Sequence, residues 1–194
     1  MKAAVHEYFP HSWAAQILST PPLIAPARQF VYPLQVPGEE DAMGRGAMLL
    51  DVKPAVGGTF LATCALGFRE ASLPSGVFAC PRADDLLAVA GGYAYLVHTL
   101  EPAKCLHLPL RPVAKVLAAP EDGLLLLAGF HDIFAIGVDG VAWQSKRLSW
   151  EGVAMDEVVG GALHGSGWNM RSDRDVPFVL DLRTGKHSGG GFGS

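Results

Sequence analysis

Few residues in this chain have the types and spacing that chemistry requires. His131-Asp132 stands at a turn, and His164 precedes a glycine turn further along. An imidazole beside a carboxylate can serve as a general base, and a second histidine brought alongside would make half of a metal site. Together they define one reading, a hydrolase or metal-dependent enzyme acting through His131, Asp132 and His164. The competing reading is a turn histidine whose neighbour Asp132 accepts backbone hydrogen bonds. It asks nothing of the chain beyond a turn, and it is preferred. No catalytic or metal-ligating residue is assigned, and no cofactor is expected.

A second constellation lies in the polar, charge-mixed connection Gly165-Ser166-Gly167-Trp168-Asn169-Met170-Arg171-Ser172-Asp173-Arg174-Asp175. Trp168 offers a stacking surface, while Arg171 and Arg174 offer forked donors for a carboxylate or phosphate. The candidate binding residues are therefore Trp168, Arg171, Asp173 and Arg174, with His131, Asp132 and His164 beside them. The alternative is that Asp173 and Asp175 already pair with the arginines and Trp168 packs over a neighbouring turn. Ser166 has glycine on both sides, but His164 stands where the Gly-x-Ser-x-Gly nucleophile elbow needs glycine. Phosphate-loop, dinucleotide-binding and His-Glu-x-x-His motifs are absent. Trp143, Lys146, Arg147 and Trp150 supply too few cations for a nucleic-acid face in a chain of net charge −4.

The elements that must position these residues can be placed by punctuation. Pro120-Glu121-Asp122-Gly123 and Val138-Asp139-Gly140 are turn chemistry, with glycine supplying positive φ. Between and around them, residues 113–118, 124–128, 133–138 and 141–148 read as four strands. Leu124, Leu126 and Ala128 alternate with Leu125, Leu127 and Gly129, so both faces of this small sheet are apolar and both should meet protein. The order recurs downstream at 152–158, 161–165, 176–182 and 186–190, and upstream at 77–80, 86–90, 93–98 and 104–110. The spacing of the turn glycines Gly140 and Gly185 falls within the ~40–50 residues of a blade-type repeat.

Phe134-Ala-Ile-Gly-Val-Asp-Gly-Val-Ala-Trp143 and Phe178-Val-Leu-Asp-Leu-Arg-Thr-Gly-Lys186 resemble the outer hairpins of β-propeller repeats of the quinoprotein and WD type. The resemblance covers residues 76–192 as a pattern. It implies an all-β fold of three clear four-stranded antiparallel blade-like units, or four if the preceding region counts. They would form a partial or small β-propeller-like arrangement. The chain has fewer units than a full ring, and the tryptophan after the turn occurs only once, at Trp143. The redox cofactor of quinoprotein enzymes is carried over to no residue.

An open arc of blades leaves the end sheets with apolar faces in water. An N-terminal arm capping one end, a fourth unit closing a small ring, or two chains pairing across a two-fold axis would cover them. The homodimer is the preferred solution. The organisation expected is an extended proline-rich arm over 1–27, an irregular β unit or cap over 28–75, and blade-like repeats over 76–194, all within one domain. Within the arm, Ser12 to Ser19 fits one short helical turn around Trp13, Ile17 and Leu18, before the prolines at 21, 22 and 26 enforce an extended path. Residues 29–36, 46–53 and 59–68 read as strands around a polar loop at 37–45. The Gly189-Gly190-Gly191 run reads as a frayed tail.

Bulk composition sets the outer limits. The chain has 194 residues, enough to bury roughly 70% of its unfolded surface without a disulfide or metal. With 15 Lys and Arg against 19 Asp and Glu, a nucleic acid or an anionic membrane is not the expected partner. Three cysteines, odd in number and set among apolar residues, read as reduced buried thiols. The first residues lack a secretory signal pattern, and no apolar run reaches the ~20 residues of a membrane span. The resulting expectation is a cytoplasmic, non-catalytic β-repeat module that binds a protein or small-molecule ligand.

Overall fold

The computed structural model describes residues 3–33 and 42–193, so most of the polar loop at 37–45 and the last part of the strand expected over 29–36 lie outside the described residues. The described fold is all-β: four sheets of four or five strands, with two short 3-10 turns and no α-helix among the described residues. The chain divides into two compact units, residues 1–112 and 113–194.

Unit 1 holds two sheets assembled from strands distant in sequence. Its strands are β1 (Ala4–His6), β2 (Trp13–Leu18), β3 (Arg28–Tyr32), β4 (Ala47–Pro54), β5 (Phe60–Ala65), β6 (Gly76–Ala79), β7 (Asp85–Ala90), β8 (Tyr93–His98) and β9 (Cys105–His107). Sheet I runs β1-β6-β7-β8-β9, and sheet II runs β2-β4-β5-β3. The segment expected to make a helical turn is instead β2, paired antiparallel to β4 from Trp13 opposite Pro54 to Leu18 opposite Leu49. That ladder, with Trp13 buried and donating its indole N–H to the Asp85 carbonyl at 3.1 Å, outweighs the weak local preference of six residues. The N-terminal segment is extended as expected, but it is no free arm. β1 lies parallel to β6, and β2 belongs to sheet II, so residues 4–18 join both sheets.

Between sheets I and II the core is aromatic and aliphatic. Leu50, Val52, Phe60 and Cys64 face it from sheet II, and Tyr32 and Tyr95 meet within it at a centroid distance of 6.1 Å. Both phenols are paired. Tyr32 donates to the Pro102 carbonyl at 2.6 Å and Tyr95 to the Ala65 carbonyl at 2.9 Å, which removes the penalty of burying a hydroxyl. Burial pushes the Tyr32 phenol well above its ordinary value, so it remains a donor.

Unit 2 follows the sequence expectation most closely. Its strands are β10 (Lys115–Ala119), β11 (Leu124–Ala128), β12 (Ile133–Gly137), β13 (Gly140–Gln144), β14 (Val153–Val159), β15 (Ala162–Asn169), β16 (Arg174–Asp181) and β17 (His187–Gly189). Sheet III runs β10-β11-β12-β13 and sheet IV β14-β15-β16-β17, each an antiparallel meander in chain order. Leu126, Ile133 and Ala135 of sheet III pack against Met155, Leu163, Phe178 and Leu180 of sheet IV. On the opposite face of sheet III, Leu125, Leu127 and Ile136 are also closed to solvent. At about 1.5–3 kcal/mol for each large aliphatic side chain buried, both faces contribute to stability.

Sheet IV departs from the expectation of two apolar faces. In β16, Phe178 and Leu180 are buried while Asp175, Pro177, Val179 and Asp181 are exposed. This is the alternation of a strand with one wet face. The connection at 165–175 also differs. Most of it is ladder, from Gly165 opposite Phe178 to Asn169 opposite Arg174, and only residues 170–173 turn.

Candidate functional site

The three residues of the enzyme reading do not converge. His131 lies between β11 and β12, and its carbonyl accepts the amides of Leu148 and Ser149 at 2.7 and 3.3 Å. Its Nδ1 stands 3.3 Å from Nη2 of Arg147. The Asp132 carboxylate accepts from the Gln144 side-chain amide at 2.5 Å, so it fastens β12 to β13. His164 sits in mid-sheet on β15, between Glu157 and Val179. Ser149, bound to His131, also accepts the Trp168 amide at 2.8 Å, which places His131 at the Trp168 end of the unit. His164 is four residues from Trp168 along β15, on the order of 13 Å at strand rise. Among the described residues no group of three or more His, Cys, Asp or Glu is placed to hold a metal ion.

The hairpin joining β15 to β16 is internally tied. The Trp168 indole donates to Oδ1 of Asp173 at 3.1 Å, so this carboxylate engages the indole. Asp173 holds φ 51, a left-handed turn position that Asp tolerates better than most residues. Oδ1 of Asn169 accepts the amides of Arg171 and Ser172 at 2.9 and 3.0 Å. Its Nδ2 donates to the Gly191 carbonyl at 2.9 Å. Arg174, exposed at the start of β16, stands opposite Asn169.

That last bond overturns the reading of the glycine run as a frayed tail. Gly190 and Gly191 donate to the carbonyls of Pro177 and Leu148 at 3.0 and 2.7 Å, and β17 ends only at Gly189. A Cβ added at Gly191 would stand 2.3 Å from the Trp168 carbonyl, so the tail lies against β15 because it has no side chain there.

Pinning the tail brings Phe192 to Trp150. Their rings lie 4.9 Å apart at 59°. The Arg147 guanidinium stands 5.0 Å from the Trp150 ring centre and 4.4 Å from that of Phe192, while its Nε and Nη2 donate to the carbonyls of Ser149 and Trp150. Arg171, Trp150, Phe192 and Gly193 enclose a cleft of about 380 Å³. Its chemistry is an exposed arginine, Arg171, sharing the cleft with two aromatic rings against which the Arg147 guanidinium packs. Arg171 was legible from the sequence, and Trp150 was visible only as packing. Phe192 was missed, since nothing in a glycine-rich terminus signals that it folds back.

Burial raises all three thiols. Cys64 and Cys80 are buried, and burial pushes both thiols far above their ordinary value; Cys105 is pushed up to about 12 by the same cause.

The fold and its clefts define an all-β protein of blade-like sheets. No family model matches the chain, and no curated protein matches it. Among solved structures it is similar to the crystal structure of the N-terminal domain of Nup159, with 12% sequence identity and a TM-score of 0.36. That match covers 97% of this chain and 53% of the other, so this chain spans about half the length of the structure it resembles. No function passes between the two at that level of similarity.

Proposed function

We propose that this protein is a non-catalytic binding module whose β body presents the cleft of Trp150, Arg171 and Phe192 to a carboxylate- or phosphate-bearing group on a protein partner or small ligand. The observation that carries this reading is one cleft lined by the exposed Arg171 and by Trp150 and Phe192, whose rings pack against the Arg147 guanidinium. Pre-organised rings lose little freedom on binding, and a charge-assisted hydrogen bond from arginine contributes about 1.5–3 kcal/mol. Phenyl phosphate and benzoate are suitable probes, followed by tryptophan fluorescence. Saturable quenching is expected, and Arg171→Ala should weaken it by roughly tenfold or more. Absence of saturation in the unaltered chain, or equal affinity in the variant, rejects the reading.

The reading extends to a homodimer in a reducing compartment. Leu18, Leu49, Thr63 and Val31 form one cross-strand row on the outer face of sheet II, with Val31 47% exposed, which supports a second copy covering it. Three free thiols support a cytoplasmic setting.

A further inference from the structure

The opposite end of unit 2 carries a second cleft, of reversed charge. The turns joining β10 to β11, β14 to β15 and β16 to β17 gather there, and a cleft of about 450 Å³ opens among Asp122, Ala142, Trp143, Asp181, Leu182 and Arg183. A β-bulge shapes it. Ala135 pairs with Trp143 and Ile136 with Val141, so Ala142 is an extra residue in β13 that re-aims its neighbours. Trp143 is then fixed from two sides. Its indole N–H donates to the Leu182 carbonyl at 2.7 Å, and its ring lies against Gly185, where an added Cβ would stand 2.7 Å from it. Trp143 remains partly exposed, and Ala142 beside it is exposed to the same cleft.

The rim is acidic on balance, with two carboxylates against one guanidinium. Oδ1 of Asp181 accepts the amide and hydroxyl of Thr184 at 2.8 and 3.0 Å, which orients that carboxylate. Asp122 is exposed at the end of the 3-10 turn Pro120–Asp122. A fixed indole beside exposed carboxylates is the chemistry that receives an organic cation, since the ring and the carboxylates attract it while the exposed Ala142 and the indole take its stem. We propose that this cleft binds an alkylammonium or guanidinium carried on a short apolar stem, whether a lysine or arginine side chain of a partner or a free amine. The site shares no residue with the Arg171 cleft and stands or falls independently of it.

The test uses the full chain labelled with ¹⁵N at its indoles, the Trp143 signal being assigned with Trp143→Phe. Butylammonium, butylguanidinium and a blocked Ala-Lys-Ala peptide are titrated, with pentanol as the uncharged control. The cations should shift the Trp143 indole saturably and pentanol should not. Asp122→Asn should weaken binding at least fivefold while leaving the remaining indole signals in place, and Asp156→Asn, an exposed carboxylate outside the cleft, should change nothing. Tighter binding of the peptide than of butylammonium supports the cation site and identifies a partner's side chain as its source. Equal binding supports the site with a free amine as the source. A Trp143 signal indifferent to every cation, equally shifted by pentanol, or unaffected by Asp122→Asn overturns the proposal.

Discussion

Asp85 and His98 face each other across β7 and β8, with Oδ1 and Nδ1 3.0 Å apart. The aspartate is almost wholly buried. Burial raises its carboxyl above the ordinary value, and the attraction of His98 recovers only part of that shift. A carboxyl raised in the folded state binds its proton more tightly there than in the unfolded chain. Its stabilising contribution is therefore complete below the ordinary carboxylate value and is lost as pH rises through the raised folded value. Urea midpoints measured from acid to neutral pH should show the unaltered chain losing stability across that window relative to Asp85→Asn, and parallel curves would refute this assignment. By contrast, Asp181 is fully exposed. Its bonds from Thr184 hold its carboxyl below the ordinary value, so that small contribution is lost as pH falls.

At the scale of elements, β15 shows how little room the strands leave. A Cβ at Gly165 would stand 2.2 Å from the Ala154 carbonyl and 2.5 Å from the Phe178 ring. Gly165→Ala should therefore cost about 1–3 kcal/mol by overpacking. Ser166→Ala, one residue along, should stay within about 0.5 kcal/mol, because Ser166 lies on the outer face. Thermal denaturation of both variants checks the contrast.

The same scale explains what was legible. Sheet III could be read because Gly123 and Gly140 mark its turns and its strands are neighbours in sequence. β2 could not, because Trp13, Ile17 and Leu18 have spacing that also suits a helical turn, and only pairing with residues 49–54 decides otherwise. Arg171 announced itself by type. Its partners Trp150 and Phe192 meet through the fold of the tail, which no local pattern encodes. The wet face of sheet IV was present in the alternation of Phe178 and Leu180 with Pro177, Val179 and Asp181, but the turn glycines suggested a copy of sheet III in every respect.

For the whole molecule, the outer face of sheet II decides what happens at working concentration. The row containing Leu18, Leu49 and Val31 is only partly closed to solvent. If a second copy covers it, light scattering during size exclusion should report twice the 20.5 kDa of one chain, and Leu49→Lys should return the mass to that of one chain. A single-chain mass at all concentrations for the unaltered protein would remove the dimer.

Sheets III and IV are each drawn from one uninterrupted stretch, whereas β1 waits for β6 across most of unit 1. On a ribosome, β1 emerges long before its mate, and must remain unattached until residues 76–79 arrive to accept it. Sheets III and IV can zip up hairpin by hairpin as they leave the tunnel, so unit 2 has the shorter delay between synthesis and closure.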